Sequence, residues 1–152
     1  MRNAISIHVQ AQAAHRWTVA ECRLHDARRC FETARVLWRS LHHKNSVTLR
    51  QACFRAYHSG LIAAVAILDI PIPQLDADCC DEPSGHVAGA RYLRSERHVE
   101  IDVEPYLLEL RDGGPSEDSR LLLNLDAFLD EVALLLEKRV QLGIRAGSVI
   151  PF

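Results

Sequence analysis

The chain has 152 residues, a length that suits one folded domain with a sizeable hydrophobic core. Hydrophobic residues make up 48% of it and charged residues 25%, which is close to ordinary globular usage. The longest uninterrupted apolar run, residues 61–68, is too short to span a bilayer, and the N-terminal stretch lacks the continuous apolar segment of a secretory signal.

The first half of the chain is basic and the second half is acidic. Residues 1–60 carry a formal charge of +7 and residues 61–152 a charge of −9, within a net charge of −2. A basic half suggests a surface that binds nucleic acid. It is equally consistent with two halves that pair with each other.

The first predicted helix carries a seam of apolar and small residues in four-three spacing, from Ala20 to Leu41. Thr18 and Glu21 form a capping box that predicts its start, although Ala13 and Trp17 continue the seam towards the N-terminus. Residues 1–12 are left as a candidate disordered tail.

The second predicted helix covers residues 47–68 and is apolar nearly all round in its second half, so we expect it to be the most buried element. Pro71 and Pro73 end it. Within it, Arg55 and His58 are interpreted as polar insertions near the wetter end of a buried helix, not as a reactive set.

Shorter elements follow. Residues 70–88 are predicted to form an acidic loop and residues 87–97 a short helix. Residues 98–103 are predicted to form either a strand or a link. A further short helix contains Pro105 in its first turn, and a last long helix covers residues 116–142 with Gly143 as its C-terminal cap. The prediction is one all-α domain over residues 1–152, an antiparallel helical bundle of three long helices plus one or two short ones.

Arginines of the first helix and acids of the last helix have matching spacings. In antiparallel packing these would form three ion pairs: Arg28 with Glu137, Arg35 with Asp130, and Arg39 with Asp126. This interpretation is preferred over a phosphate-binding face, because the same arginines cannot fully serve both. Four further arginines are unassigned and are the candidates for nucleic-acid binding: Arg16, Arg23, Arg29 and Arg50.

The cysteines are odd in number and lack the spacing of a disulfide framework: Cys22, Cys30, Cys53, Cys79 and Cys80. They predict reduced thiols in a cytoplasmic protein. Cys22 and His25 share a helical turn, but no second pair at metal-ligand spacing accompanies them. Neither a metal site nor a cofactor is predicted.

Two stretches carry a family resemblance. FETARVLWRSL with LRQACFRAYHSGLIAAVAIL resembles the core hairpin of HEPN-fold domains, and PYLLELRDGGPSEDSRLLLNLDAFLDEVALLLEKR resembles their closing section. The resemblance implies a metal-independent ribonuclease in which an arginine and a nearby histidine act, often in a dimer. Arg111, at the expected turn, is followed by no histidine; Arg91 and His98 have the family's spacing elsewhere.

The sequence is therefore consistent with three hypotheses about function. The preferred one is a non-catalytic helical module that binds a protein partner or itself, in a regulatory or defence setting. The second is a HEPN-like endoribonuclease that uses Arg91 and His98. The third is an RNA-binding protein that uses the four unassigned arginines without cleavage.

Overall fold

The computed structural model describes residues 4–40, 47–69, 83–112 and 119–145. The described residues form five helices and no strand: α1 (Ala4–Ser40), α2 (Val47–Leu68), α3 (Pro83–Ser95), α4 (Glu104–Arg111) and α5 (Leu121–Arg145). Three are long and two are short, which confirms the predicted all-α class. No helix among these residues is long and apolar enough to cross a membrane.

Helix α1 is longer than its local start signals suggest. Thr18 lies inside the helix, where its Oγ1 donates to the backbone oxygen of Ala14 at 3.0 Å. The predicted capping box was therefore wrong, since a helix of 37 residues runs through it. Residues 4–12, set aside as a candidate disordered tail, are helical.

The predicted seam of α1 does face the core, with Ala20, Ala27, Phe31 and Ala34 buried. Small side chains at three of these positions let α1 and α2 approach closely. The two helices lie antiparallel as a hairpin, since the α1 segment around Arg29 and the α2 segment around Ser59 line the same cleft, and Arg16 reaches Asp69 at the far end of α2.

Helix α2 is the most buried element, as its composition predicts. It packs between α1 and α5 and also contacts α3 and α4. The Tyr57 ring contacts the Phe128 ring of α5, with centroids 5.7 Å apart. Its bounds, Val47–Leu68, are those predicted.

Helix α3 begins at Pro83, so residues 83–88 are helical and not part of a loop; residues 70–82 lie outside the described residues. It ends through Arg97, whose φ of 57° is left-handed, while the amide of His98 donates to the carbonyl of Leu93 at 2.9 Å. Residues 98–103 then form a link without strand structure. That link is held to α5 by the carboxylate of Glu131, which accepts hydrogen bonds from two of its backbone amides.

Helix α4 begins as predicted, whereas α5 begins at Leu121 and not near residue 116, since residues 119 and 120 are not helical. Pro105 lies in the first turn of α4, and the hydroxyl of Ser119 accepts a hydrogen bond from the amide of Leu121 at 3.1 Å. Helix α5 continues to Arg145, so Gly143 is a buried residue inside the helix; its prediction as a C-terminal cap was wrong.

Candidate functional site

A cleft of about 680 Å³ runs along one side of the α1–α2 hairpin. Helix α1 contributes its lining between residues 23 and 33, and α2 contributes Arg55, His58 and Ser59. These three residues share one face of α2 because they are three and four positions apart. Two long helices thus place arginines on both walls of one groove.

Three arginines of this cleft are available to a ligand. No carboxylate among the described residues lies within ion-pair distance of Arg23, Arg29 or Arg55. Two acids also line the cleft, Asp26 and Glu32. Glu32 is engaged, since it accepts a hydrogen bond from Nη2 of Arg35 at 2.6 Å. The local field of the cleft is therefore positive.

Arg28, the fourth arginine of the lining, has a structural role. Its guanidinium donates to Asp126 of α5 at 2.6 Å and to Asp130 of the same helix. Its carbon Cζ also lies 6.0 Å from the centre of the Phe31 ring. This side chain joins α1 to α5, and its guanidinium is already paired with two carboxylates.

The predicted ladder of ion pairs was wrong in its partners. Arg28 pairs with the two aspartates that were assigned to Arg35 and Arg39, and Arg35 pairs with Glu32 on its own helix. Only one α1 arginine is therefore tied to α5 among the described residues. Acidic side chains therefore already pair with Arg28, whereas no described acidic side chain pairs with Arg23 or Arg29.

The four arginines proposed for nucleic-acid binding do not lie together. Arg23 and Arg29 line the cleft. Arg16 lies towards the other end of the hairpin with Nη1 3.8 Å from Asp69, and Arg50 is half-buried and outside the lining. The structure adds Arg55, which the sequence interpretation had set aside. The signal that could have identified Arg55 is its position three and four residues before His58 and Ser59, on a helix that packs antiparallel to α1.

At the wall of the cleft, His58 contacts a second histidine. Its Nδ1 lies 3.1 Å from Nε2 of His86 on α3, and both side chains are buried. In such a contact one ring nitrogen donates and the other accepts. The pair connects the cleft to α3.

Arg91 and His98, the candidates for ribonuclease chemistry, are placed differently. The Nε of Arg91 donates to Glu104 of α4 at 2.9 Å; this hydrogen bond lowers the pKa of the Glu104 carboxyl and raises the pKa of Arg91. A small cleft of about 400 Å³ beside Arg91 is lined by Arg94, Asp102 and Glu104 as well, and His98 is not part of that lining. The guanidinium of Arg91 already has a carboxylate partner, which competes with a phosphate.

The chemistry of the large cleft is that of anion binding. Guanidinium groups donate several hydrogen bonds in a plane and match phosphate oxygens well. In the part of the chain that the structure describes, no group of three histidine, cysteine or acidic side chains is arranged to hold a metal ion. The cleft supplies positive charge and hydrogen-bond donors.

Comparison with known proteins identifies no relative: no protein-family model, curated protein or solved structure matches the chain. The resemblance to HEPN domains stays a prediction.

Proposed function

We propose that the protein is a non-catalytic helical module that binds the phosphate backbone of single-stranded nucleic acid, RNA in the first place, in the α1–α2 cleft. The observation that carries the proposal is the convergence of Arg23 and Arg29 from α1 with Arg55 from α2, none paired with a described carboxylate. This third hypothesis now takes precedence over the other two, because the ion pairs between described residues engage Arg28 and Arg35 of α1 but not Arg23 or Arg29.

The lining also indicates how such a ligand is bound. Among the described residues that line the cleft, there is no phenylalanine, tyrosine or tryptophan ring on which a base could stack. Affinity then comes from phosphate contacts, which depend on salt and carry no sequence information. A single strand is the proposed ligand because its flexible backbone can follow a positively charged groove.

The test is fluorescence anisotropy of a labelled single-stranded RNA at low and moderate salt. We expect binding that weakens steeply with salt, and a slope of log affinity against log salt that falls by about 2 when all three arginines become glutamine. Arg39→Gln is the control, since Arg39 is an exposed arginine of the same helix that lies outside the lining. Equal loss in the control and in the triple variant would contradict the proposal.

A denaturing gel of the same mixtures tests the ribonuclease hypothesis. RNA cleavage that disappears in His98→Ala would establish it and displace the binding module. We expect intact RNA, because the guanidinium of Arg91 is paired with Glu104.

A protein partner is the second candidate, and its basis lies on α5. Leu123 and Leu134 are 71% and 52% exposed, and their separation of eleven residues places them on one helical face. Self-association through this face would give a mass above the monomer by light scattering. Leu123→Gln combined with Leu134→Gln would then return the monomer mass, whereas a monomeric wild-type protein would exclude self-association.

A further inference from the structure

The contact between His58 and His86 joins two helices through a pair of buried imidazoles. His58 of α2 is 3% exposed and His86 of α3 is fully buried. Their rings meet edge-on, with an interplanar angle of 68° and centroids 5.1 Å apart. The ring of Phe54 packs against His86 at a centroid distance of 5.6 Å, so one side of the pair is apolar.

This contact limits the number of protons that the pair can hold. At 3.1 Å between Nδ1 and Nε2, a single hydrogen lies between the two rings, donated by one nitrogen and accepted by the other. If both rings were fully protonated, two N–H donors would face each other, and two like charges would lie in a buried site. That limit holds whatever the outer ring nitrogens contact.

The charged and titratable groups around the pair do not remove this limit. Across the cleft from His58, the groups are His25, Asp26, Arg29 and Glu32 of α1, with Arg55 on α2 itself. On the other packed elements, some of the charged side chains form ion pairs. The ion pairs are Arg91–Glu104 and Arg94–Asp102 between α3 and the link with α4, and Arg28 with Asp126 and Asp130 of α5.

We propose that His58 and His86 form a proton-operated latch that holds α3 against α2. In the closed state one hydrogen is shared between the two facing ring nitrogens. The contact breaks, and the latch opens, when both nitrogens of each ring carry a proton. The open state binds one more proton than the closed state, so a fall in pH favours opening by about tenfold per pH unit once histidine is largely protonated in the open state. Because His58 also lines the cleft, the latch connects the position of α3 to the proposed binding site.

This inference goes beyond RNA binding, and its test uses no RNA. Hydrogen exchange of the full chain is measured at about pH 7.5 and about pH 5.5, on the two sides of the histidine range, and expressed as protection factors so that the intrinsic pH dependence of exchange cancels. We expect amides of α3 to lose about tenfold or more of their protection in acid while amides in the middle of α5 keep theirs. Unchanged protection in α3, or an equal loss in α3 and α5, would overturn the latch.

Two variants sharpen the test. His86→Gln keeps a donor and an acceptor in place but cannot titrate, so the pH dependence of α3 protection should vanish. His15→Gln is the control, since His15 is an exposed histidine of α1 and the wild-type response should persist. A pH response that survives in His86→Gln would overturn the proposal. If that variant does not fold, the wild-type comparison of protection in α3 and α5 is the deciding test.

Discussion

Gly60 of α2 lies so close to Leu129 of α5 that a Cβ atom on Gly60 would stand 2.8 Å from Cδ2 of Leu129. The same Cβ would also lie 2.8 Å from Cε1 of Phe128. Both neighbours are completely buried, so neither side chain can turn into solvent. The absence of a side chain at residue 60 therefore sets how closely α2 and α5 approach.

Gly60→Ala should destabilise the fold. Alanine favours a helix over glycine by about 1 kcal/mol, whereas overpacking a core costs about 1–3 kcal/mol. We expect a net loss of about 1 kcal/mol in the free energy of unfolding, measured by urea denaturation. The double variant with Leu129→Ala is the control, because removing Leu129 makes room and should reduce the cost of the alanine. An equal or greater stability of Gly60→Ala would show that α5 moves away easily.

The sequence predicts the helices well where strong local signals coincide. Helix α2 has its predicted bounds because an apolar stripe is followed by Pro71 and Pro73, which cannot continue a helix. The start of α1 was misplaced for the opposite reason. A Thr–Glu pair looks the same inside a helix as at its start, and only the residues before it decide which applies.

The contacts between helices were predicted less well, because the prediction relied on exposed ion pairs, which are weak, and not on the packing of side chains. Exposed ion pairs contribute at most about 1 kcal/mol, so they follow the register and do not determine it. The close contact of Gly60 with α5 constrains the relative position of the helices far more strongly. The pair of His58 and His86 was not predicted at all: 28 residues separate them in sequence, and no periodic pattern links the two.

Double-mutant cycles should distinguish the observed ion pairs from those predicted by spacing. We expect a coupling free energy of about 0.5 kcal/mol between Arg28 and Asp126, since both side chains are partly exposed. It should shrink as salt is added. The cycle for Arg35 and Asp130 is the control and should give no coupling, because these residues contact Glu32 and Arg28 instead. The reverse result would restore the predicted ladder.

Glu131 should hold the link between α3 and α4. Its two carboxylate oxygens accept the amides of Glu100 and Ile101 at 2.8 and 2.9 Å. Glu131→Ala leaves both amides without this acceptor, and we expect a loss of about 1–3 kcal/mol in unfolding free energy together with faster exchange of those two amides. Glu137→Ala, at an exposed position of the same helix, should cost little. Unchanged amide exchange in Glu131→Ala would show that the link is held by other contacts.

Arg55 should matter more for RNA binding than Arg16, although the sequence analysis favoured the reverse. Arg55→Gln removes an arginine of the cleft, and we expect the salt slope of RNA affinity to fall by about 0.7, the value for one phosphate contact of a single strand. Arg16→Gln should change the slope less, because Arg16 lies near Asp69 and outside the lining. Anisotropy titrations at several salt concentrations measure both slopes. A larger effect of Arg16 would move the binding surface to the other end of the hairpin.

Alkaline pH should destabilise the protein through Cys53. Burial raises the pKa of this thiol from 9.0 to about 12, and burial also raises the pKa of Tyr57, helped by the neighbouring Cys53. Above pH 9.0 the unfolded chain therefore loses a proton from Cys53 that the folded chain keeps, so unfolding becomes easier as pH rises towards about 12.

Urea denaturation at about pH 8.5 and about pH 10.5 should show a loss of stability that is smaller in Cys53→Ala, by up to about 1.4 kcal/mol per pH unit. Cys22→Ala, at an exposed cysteine, is the matched control and should retain the full wild-type loss. Equal losses in all three proteins would show that the Cys53 thiol does not contribute to the alkaline transition.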